Sequence, residues 1–265
     1  MGCLIVGILN ITPDSFSDGG RFASWETAVG AGVKMAEEGA AWVDVGGEST
    51  RPGAVPVAED EEKARVLPVI EGLKKRLPAG VRISIDTYKS GTARAAVAAG
   101  ASVVNDVSGG LLDPAILGVA AQGGAAIVVG HLRGAPATMM EGIAFADVVA
   151  EVGAELAERV EKARRAGCRE IWADPGIGFG KRIEHNLALM RALPALGARV
   201  GAPLLVGVSR KAFIGQLTGK PAHERQFGTA AAVTVAVLRG AAAVRVHDVG
   251  AARDILAVAE ALSRD

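Results

Sequence analysis

Residues 81–129, VRISIDTYKSGTARAAVAAGASVVNDVSGGLLDPAILGVAAQGGAAIVV, give the clearest indication of the fold. Three short apolar runs occur in it, at 81–85, 102–104 and 126–129, and two stretches of helical length, at 90–99 and 113–122, lie between them. Runs that are apolar on both faces are typical of parallel strands buried on both sides. Strands that alternate with helices predict a parallel sheet with helices packed against it.

The same alternation extends outward in both directions. Five further apolar runs lie at 3–9, 42–45, 170–173, 203–208 and 243–246. Helices are predicted near 25–39, 59–77, 145–166, 183–193, 224–239 and 249–262. Eight strand–helix units in 265 residues predict one (β/α)8 barrel, an α/β fold formed by a single domain over residues 1–265, since such barrels typically have about 250 residues. A doubly wound open sheet is the structural alternative, and length alone also permits two small domains.

Composition narrows the class of function. Hydrophobic residues make up 50% of the chain, and 29 basic residues balance 29 acidic ones. A net charge of zero lacks the basic footprint of a nucleic-acid-binding protein, so an anionic substrate needs a local site. The two cysteines, Cys3 and Cys168, form no disulfide framework, which predicts a reducing, cytoplasmic location. No apolar run reaches the roughly 18 residues of a membrane helix, so no membrane partner is expected.

Polar residues stand where each apolar run ends. Because active sites of such barrels lie in the loops after the strands, these residues are expected to meet at one mouth. Any single one could instead cap a helix or form a turn. The residues that follow the eight runs are Asn10, Gly46 to Arg51, Asp86, Asn105–Asp106, His131, Asp174, Ser209 to Lys211, and His247–Asp248.

Two groups of these residues suit different chemistry. Carboxylates, an amide and an ammonium can meet the donors and acceptors of a heterocycle edge, and these groups are Asp86, Asn105, Asp174 and Lys211. Cationic and hydrogen-bonding groups suit a pyrophosphate or another polyanion, and these are Asn10, Thr50, Arg51, Arg245 and His247. The amide oxygen of Asn10 can also bind a metal ion.

Several common catalytic motifs are absent from the sequence. It contains no GxxxxGK[ST] segment, no HExxH pair and no nucleophile elbow, and the glycines of GIGFGK at 176–181 have the wrong spacing for a dinucleotide site. These absences exclude P-loop, zinc-protease and serine-hydrolase functions.

Blocks spread over nearly the whole chain resemble the dihydropteroate synthase family in sequence and in order. The two most specific blocks are ILNITPDSFSDGG at 8–20 and VDVGGESTRPGA at 43–54. The others are ISIDTYK at 83–89, VNDVSG at 104–109, DPGIGFGK at 174–181, GVSRK at 207–211 and RVHDV at 245–249.

The resemblance implies a transferase of folate biosynthesis. Such an enzyme condenses 6-hydroxymethyl-7,8-dihydropterin pyrophosphate with 4-aminobenzoate and releases 7,8-dihydropteroate and pyrophosphate. It also implies Mg²⁺ on the pyrophosphate and a homodimer. The methyltetrahydrofolate–corrinoid methyltransferases, which share the pterin residues, and a catalytically silent pterin-binding paralogue remain as alternatives.

The family's functional positions fall on particular residues of this chain. Its pterin residues are Asp86, Asn105, Asp174 and Lys211. Its pyrophosphate residues are Asn10, Arg51, Arg245 and His247, with Asn10 next to the metal. Its aminobenzoate residues are Thr50, Arg51, Pro52, Phe179 and Ala212. The residues expected to act in catalysis are Asp18, Arg51, Asp86 and Lys211.

Two departures from the family pattern concern the substrate pockets. Many members have a methionine before the histidine after strand five, where this chain has Gly130, and looser packing against the pterin is expected there. Many also have a serine where this chain has Ala212, so only a backbone N–H remains to hold the aminobenzoate carboxylate.

Other polar and aromatic residues have structural interpretations. Glu48 is expected to form a salt bridge within the second loop, and His131 to orient other groups rather than act as a base. Trp42 and Trp172, which lie beside strands, are predicted to pack between the barrel and its helices.

Overall fold

The computed structural model describes residues 2–11, 20–51 and 53–263, with only the backbone of residues 20–24, and in this part eight parallel strands form one sheet. The strands are Leu4–Asn10 (β1), Trp42–Gly46 (β2), Arg82–Asp86 (β3), Val103–Asp106 (β4), Ala126–Gly130 (β5), Ile171–Asp174 (β6), Leu205–Gly207 (β7) and Ala243–Val246 (β8). Paired neighbours follow the order β6-β5-β4-β3-β2-β1-β8-β7. A parallel bridge from Ala173 to Leu204 joins β6 to the residue before β7. The sheet therefore closes into a barrel, and the predicted (β/α)8 fold is confirmed against the open-sheet alternative.

Helices follow the strands, and the described residues contain ten of them. They are Gly20–Glu37 (α1), Glu59–Arg76 (α2), Ser90–Ala99 (α3), Ala115–Gln122 (α4), Val148–Arg165 (α5), Ile183–Arg191 (α6), Leu193–Val200 (α7), Ala212–Thr218 (α8), Gln226–Leu238 (α9) and Val249–Leu262 (α10). None of these helices is long and apolar enough to cross a membrane.

The helices differ from the predicted ones in three places. The first begins at Gly20, five residues before the predicted start. The second difference is α7, which follows α6 after Ala192, because Pro194 starts a new helix there. The third is α8, whose seven residues carry too short a pattern for the sequence to reveal. It matters for the site because it begins directly after Lys211.

Residues before and within the helices explain why they form where they do. The carboxylate of Asp147 caps α5 by accepting the backbone N–H groups of Val149 and Ala150, and Asp248 caps α10 by accepting that of Ala251. The first turn of α2 carries four acidic residues and its last turn three basic ones, which matches the helix dipole at both ends.

Strand side chains alternate between two cores. The larger core lies between the sheet and the helices and includes Val43 and Val45 of β2. The smaller one includes Trp42 and fills the barrel interior, where Trp172 meets the Trp42 ring edge-on at 5.0 Å between centroids. The prediction that these tryptophans pack between barrel and helices is wrong, because both stand at inward-facing positions. Their rings fill the amino-terminal end of the barrel and leave the carboxyl-terminal end for polar groups.

Candidate active site

Strand register brings the predicted polar residues together at the carboxyl-terminal mouth. Asn10 on β1 pairs with Gly46 on β2, Gly46 pairs with Asp86 on β3, and Asp86 pairs with Asn105 on β4. A side-chain carbon on Gly46 would lie 3.5 Å from the Cβ of Asp86 and 3.7 Å from the Oδ1 of Asn10. Glycine at this position therefore leaves space between the two functional groups.

A buried ion cluster forms the floor of the mouth. Arg245 of β8 donates from Nε to Asp44 and from Nη2 to Asp86, at 2.6 Å in each case. Asn105 donates to the same oxygen of Asp44 at 3.0 Å. The other oxygen of Asp44 is buried and has no hydrogen-bond partner among the described residues. The guanidinium thus holds carboxylates from two neighbouring strands beneath the mouth.

Burial and charge set the protonation of this cluster. Burial raises the pKa of Asp86 to about 7, although the Arg245 guanidinium opposes that rise. Burial alone would lower the pKa of Arg245, but the Asp44 and Asp86 carboxylates raise it above its ordinary value. The arginine therefore stays charged, whereas the charge of Asp86 changes near pH 7.

The wall opposite this cluster carries a carboxylate and an ammonium. Asp174, at the end of β6, accepts the backbone N–H of Gly176 at 2.7 Å. Lys211 follows β7, and its Nζ lies 3.8 Å from the centroid of the Phe179 ring. Withdrawal from water raises the pKa of Asp174 and lowers that of Lys211 to about 8, while their attraction for each other opposes both shifts. Lys211, one of the predicted pterin groups, thus lies next to the predicted aminobenzoate ring wall, and Asp174 holds the turn that leads to it.

A positive rim surrounds His247. Its Nδ1 lies 2.9 Å from the hydroxyl of Ser209. Burial, followed by the positive charges of Arg210, Arg245 and Arg51, lowers the pKa of His247 to about 4, so the imidazole is neutral near pH 7. Positive charge of this kind around a neutral imidazole suits an anionic ligand.

The second loop, which follows β2, is anchored by contacts of Glu48 near its start, and its tip is exposed to solvent. Glu48 accepts Lys89 at 2.5 Å, the Tyr88 hydroxyl at 2.7 Å and the backbone N–H of Val57 at 2.8 Å. The prediction that Glu48 forms a structural salt bridge is confirmed, but its partner Lys89 follows β3 and does not lie within the second loop as expected. Thr50 is half-buried and Arg51 is exposed, so the loop presents its guanidinium toward solvent.

Some predicted site residues have less definite surroundings. Asp18 and Pro52 lie outside the described residues, and their roles stay predictions. Ala212 is the first residue of α8 and is exposed. Gly130 is packed tightly, because a Cβ there would lie 2.5 Å from the carbonyl oxygen of Val107. Backbone therefore fills the space beside Gly130, and the looser packing against the pterin stays a prediction.

Sequence reasoning missed Asp44 as part of the site, and it placed Ser209 at the mouth without a partner. A signal for Asp44 was present, because a lone carboxylate within the apolar run at 42–45 needs a buried partner. Its partner Arg245 lies 201 residues away in sequence, so no local pattern connects them. Ser209 stands among turn-forming residues, and only the packing of β7 against β8 places it beside His247.

The described residues offer little for protein-bound metal or thiol chemistry. Among them, no three His, Cys, Asp or Glu side chains cluster so as to hold a metal ion by themselves. The cysteines are free, and burial raises the pKa of Cys3 to about 12 and also raises that of Cys168. Neither thiol has the low pKa of a catalytic nucleophile.

Comparisons with known proteins point to one family. The model of the family described as pterin binding enzyme matches residues 6–247. A dihydropteroate synthase from Synechocystis is 47% identical over 263 residues, covering 98% of this chain and 90% of that protein. The Xanthomonas albilineans dihydropteroate synthase solved with 4-aminobenzoic acid superposes with a TM-score of 0.91 at 44% identity, covering 100% of this chain and 94% of that one. The Thermus thermophilus enzyme in complex with 4-aminobenzoate gives a TM-score of 0.87 at 44% identity, covering 98% and 95%.

Proposed function

Because the chain belongs to the pterin binding enzymes and, within them, to the dihydropteroate synthases, we propose that the barrel mouth is its active site. The reaction breaks the C–O bond between the pterin methylene group and pyrophosphate and forms a C–N bond to 4-aminobenzoate. The observation that carries this proposal is that groups suited to both parts of the pterin pyrophosphate meet at one mouth. The carboxylates of Asp86 and Asp174 lie at its floor and wall, and His247, held by Ser209, lies at its rim under the positive charge of nearby arginines.

The floor and wall suit the pterin. Asp86, Asn105 and Asp174 offer acceptors and an amide to the ring edge, and Lys211 offers an ammonium to a ring carbonyl. Fixed carboxylates also stabilise positive charge that develops on the pterin methylene carbon as pyrophosphate leaves. The aniline nitrogen then attacks and loses its proton readily, since an anilinium is a good acid, so no strong base is required in the site.

The rim suits the leaving pyrophosphate. Arg51 is exposed on the second loop and can follow the phosphates, while His247 is neutral and held by Ser209. Arg245 already donates to two carboxylates, so we assign it a long-range electrostatic role toward the pyrophosphate rather than a direct bidentate one. Thr50, Pro52, Phe179 and Ala212 then remain for the aminobenzoate.

Mg²⁺ fits this arrangement as an ion carried by the pyrophosphate. It usually keeps several waters and uses one or two protein oxygens together with substrate phosphates. The amide oxygen of Asn10, beside Asp86 at the mouth, is the protein ligand that we propose. When bound, Mg²⁺ would neutralise charge on the departing pyrophosphate. The catalytic role of Asp18 and the cytoplasmic location remain predictions.

The function is tested by product formation. Purified protein with Mg²⁺ and both substrates is expected to form dihydropteroate and release pyrophosphate, because the mouth carries groups for both partners. Pyrophosphate release is measured with each substrate omitted in turn, and the omissions serve as the controls. Release that does not depend on 4-aminobenzoate, or no product from folded protein, would contradict the proposal.

We also propose that the enzyme is a homodimer. Phe227, Ala231, Val235 and Leu238 recur at the spacing of one face of α9 and are all exposed, with Phe227 at 83%. Leu217 of the neighbouring α8 is exposed as well. An apolar stripe of this kind on a surface helix marks an association site, and a second copy of the same chain can cover it symmetrically.

Charge placed in this stripe is expected to separate the subunits. Phe227→Glu buries a carboxylate in the apolar interface, so the wild type should sediment as a dimer and the variant as a monomer at micromolar concentration. Leu262→Glu on α10, where Leu262 is 80% exposed, is the matched control and should remain dimeric. A monomeric wild type would contradict the proposed homodimer, and a dimeric Phe227→Glu variant would show that the interface does not involve this face of α9.

A further inference from the structure

Lys181 lies buried behind the loop that connects β6 to α6. Only 3% of the residue is exposed. Its Nζ lies 3.0 Å from the carbonyl oxygens of both Gly176 and Phe179, 2.9 Å from Nδ1 of His131, and 3.3 Å from the carbonyl oxygen of His131. An ammonium has three N–H donors, so these acceptors satisfy all of them.

Charge on Glu155 decides which tautomer His131 adopts. The Oε2 of Glu155 lies 3.1 Å from Nε2 of His131, and Arg133 donates to the same carboxylate. Hydrogen bonding from His131 and Arg133 lowers the pKa of Glu155 to about 2, so the carboxylate is charged and accepts the Nε2 proton. Burial lowers the pKa of His131 to about 4, which keeps the ring neutral. Its Nδ1 therefore presents a lone pair to the Lys181 ammonium.

Two of the three carbonyls held by Lys181, those of Gly176 and Phe179, belong to residues that order the mouth. The backbone N–H of Gly176 donates to Asp174, and the ring of Phe179 lies against the Nζ of Lys211. Gly176 has φ +67°, and a Cβ there would lie 2.0 Å from the carbonyl oxygen of His131. The turn thus packs closely against the His131 backbone, with no room for a side chain at Gly176, and Lys181 joins its two ends.

Burying the charged ammonium of Lys181 is energetically unfavourable. Burial lowers the pKa of Lys181 to about 7, although the Asp174 carboxylate opposes that shift. A buried charge is often less stable than an apolar side chain of similar volume. A cation at this position is therefore better explained by the loop carbonyls that it binds than by a gain in stability.

We propose that Lys181, oriented by His131 and Glu155, is a positioning residue that fixes Asp174 and Phe179 for substrate binding. The ammonium does not reach the mouth, so it acts through the loop and not on the substrate. This inference rests on the assignment of Asp174 and Lys211 to the pterin site made above.

Replacement of Lys181 by methionine tests the proposal. The variant keeps the length of the side chain and removes the charge. Affinity for 6-hydroxymethylpterin, measured by calorimetry, is expected to fall about 10-fold, within the range of coupling between neighbouring residues. The KM for the pterin pyrophosphate should rise more than kcat falls, because the loss is one of binding geometry. Arg82→Met, at the opposite end of the barrel, is the control and should leave both values unchanged.

A double-mutant cycle separates positioning from a general loss of stability. If Lys181 acts through Asp174, Lys181→Met should change pterin affinity less than about 2-fold in an Asp174→Asn background. Equal effects in the two backgrounds, or wild-type affinity in folded Lys181→Met, would overturn the proposal. Wild-type affinity in Asp174→Asn alone would overturn it too, while product formation by the unmodified enzyme tests the function independently.

A second variant covers the case in which Lys181→Met does not fold. His131→Gln removes the ring acceptor and leaves the ammonium, so pterin affinity should fall about 3-fold, with the same loss of effect in the Asp174→Asn background. Circular dichroism and the melting temperature report folding of each variant. Unchanged pterin affinity in folded His131→Gln would contradict the proposal in that case.

Discussion

Replacement of Arg245 by methionine is expected to destabilise the folded protein by about 3–5 kcal/mol, the usual cost of removing one partner from a buried ion pair. The reason is that the guanidinium lies between the carboxylates of Asp44 and Asp86, and methionine leaves two buried negative charges facing each other. Asp44 cannot move toward water, because it is completely buried. Denaturant unfolding followed by circular dichroism measures the loss.

The size of this loss should depend on pH. Burial raises the pKa of Asp86 to about 7, and without Arg245 that pKa rises further. A raised carboxyl pKa means that the folded protein binds the proton more tightly than the unfolded chain does. This contribution is complete below the unfolded pKa, about 3.9, and disappears as the pH rises through the folded pKa. At pH 5 Asp86 is protonated in both proteins, so the loss of Arg245 matters less. At pH 8 the wild type has lost this proton and Arg245 balances the carboxylate charge, whereas the variant has no cation there, so the difference from wild type should be larger at pH 8.

Arg82→Met is the matched control for this experiment. Arg82 also stands on a barrel strand and pairs with a carboxylate, that of Glu170, but both side chains are partly exposed. An exposed pair contributes about 1 kcal/mol or less, and its loss should vary little between pH 5 and pH 8. If Arg245→Met cost no more than Arg82→Met, or the same at both pH values, the carboxylates would not depend on the arginine.

Replacement of Asp174 by asparagine is expected to weaken pterin binding by one to two orders of magnitude. Asparagine keeps the shape of the side chain and an oxygen for the N–H of Gly176, but it turns an acceptor for the ring edge into a donor. Losing a buried hydrogen bond to a charged group costs roughly 1.5–3 kcal/mol, which corresponds to that change in affinity. Calorimetry with 6-hydroxymethylpterin measures it directly.

Asp248→Asn provides the matched control for the pterin measurement. Asp248 also follows a barrel strand at the same mouth, but it is exposed, and its carboxylate caps α10. Asparagine is an equally good capping residue, so pterin affinity should stay within about 2-fold of wild type. Wild-type affinity in Asp174→Asn would show that this carboxylate does not bind the pterin. A large loss in Asp248→Asn would instead mean that the whole mouth responds to any change of charge.

Much of the fold follows from local pattern. Each buried strand had a matching apolar run, and the amphipathic helices were located to within a few residues, because burial on both faces and helical periodicity are properties of neighbouring residues. The pattern failed at α8, which is short, and at α7, which begins two residues after α6 ends. Both lie at boundaries where length and a proline, rather than periodicity, determine the structure.

The functional residues likewise include some that local pattern predicts and some that only the folded structure reveals. Local pattern predicts the strand–helix alternation and most of the polar groups at the mouth, since active-site residues of such barrels follow the strands. The pairing of those groups is visible only in the folded protein: Arg245 holds Asp44 and Asp86, Ser209 holds His247, and Lys181 holds the loop of Asp174. Local pattern cannot show these pairs because the partners lie far apart along the chain. Strand register and burial bring these charges together, and their pKa values depend on neighbours that lie far away in sequence.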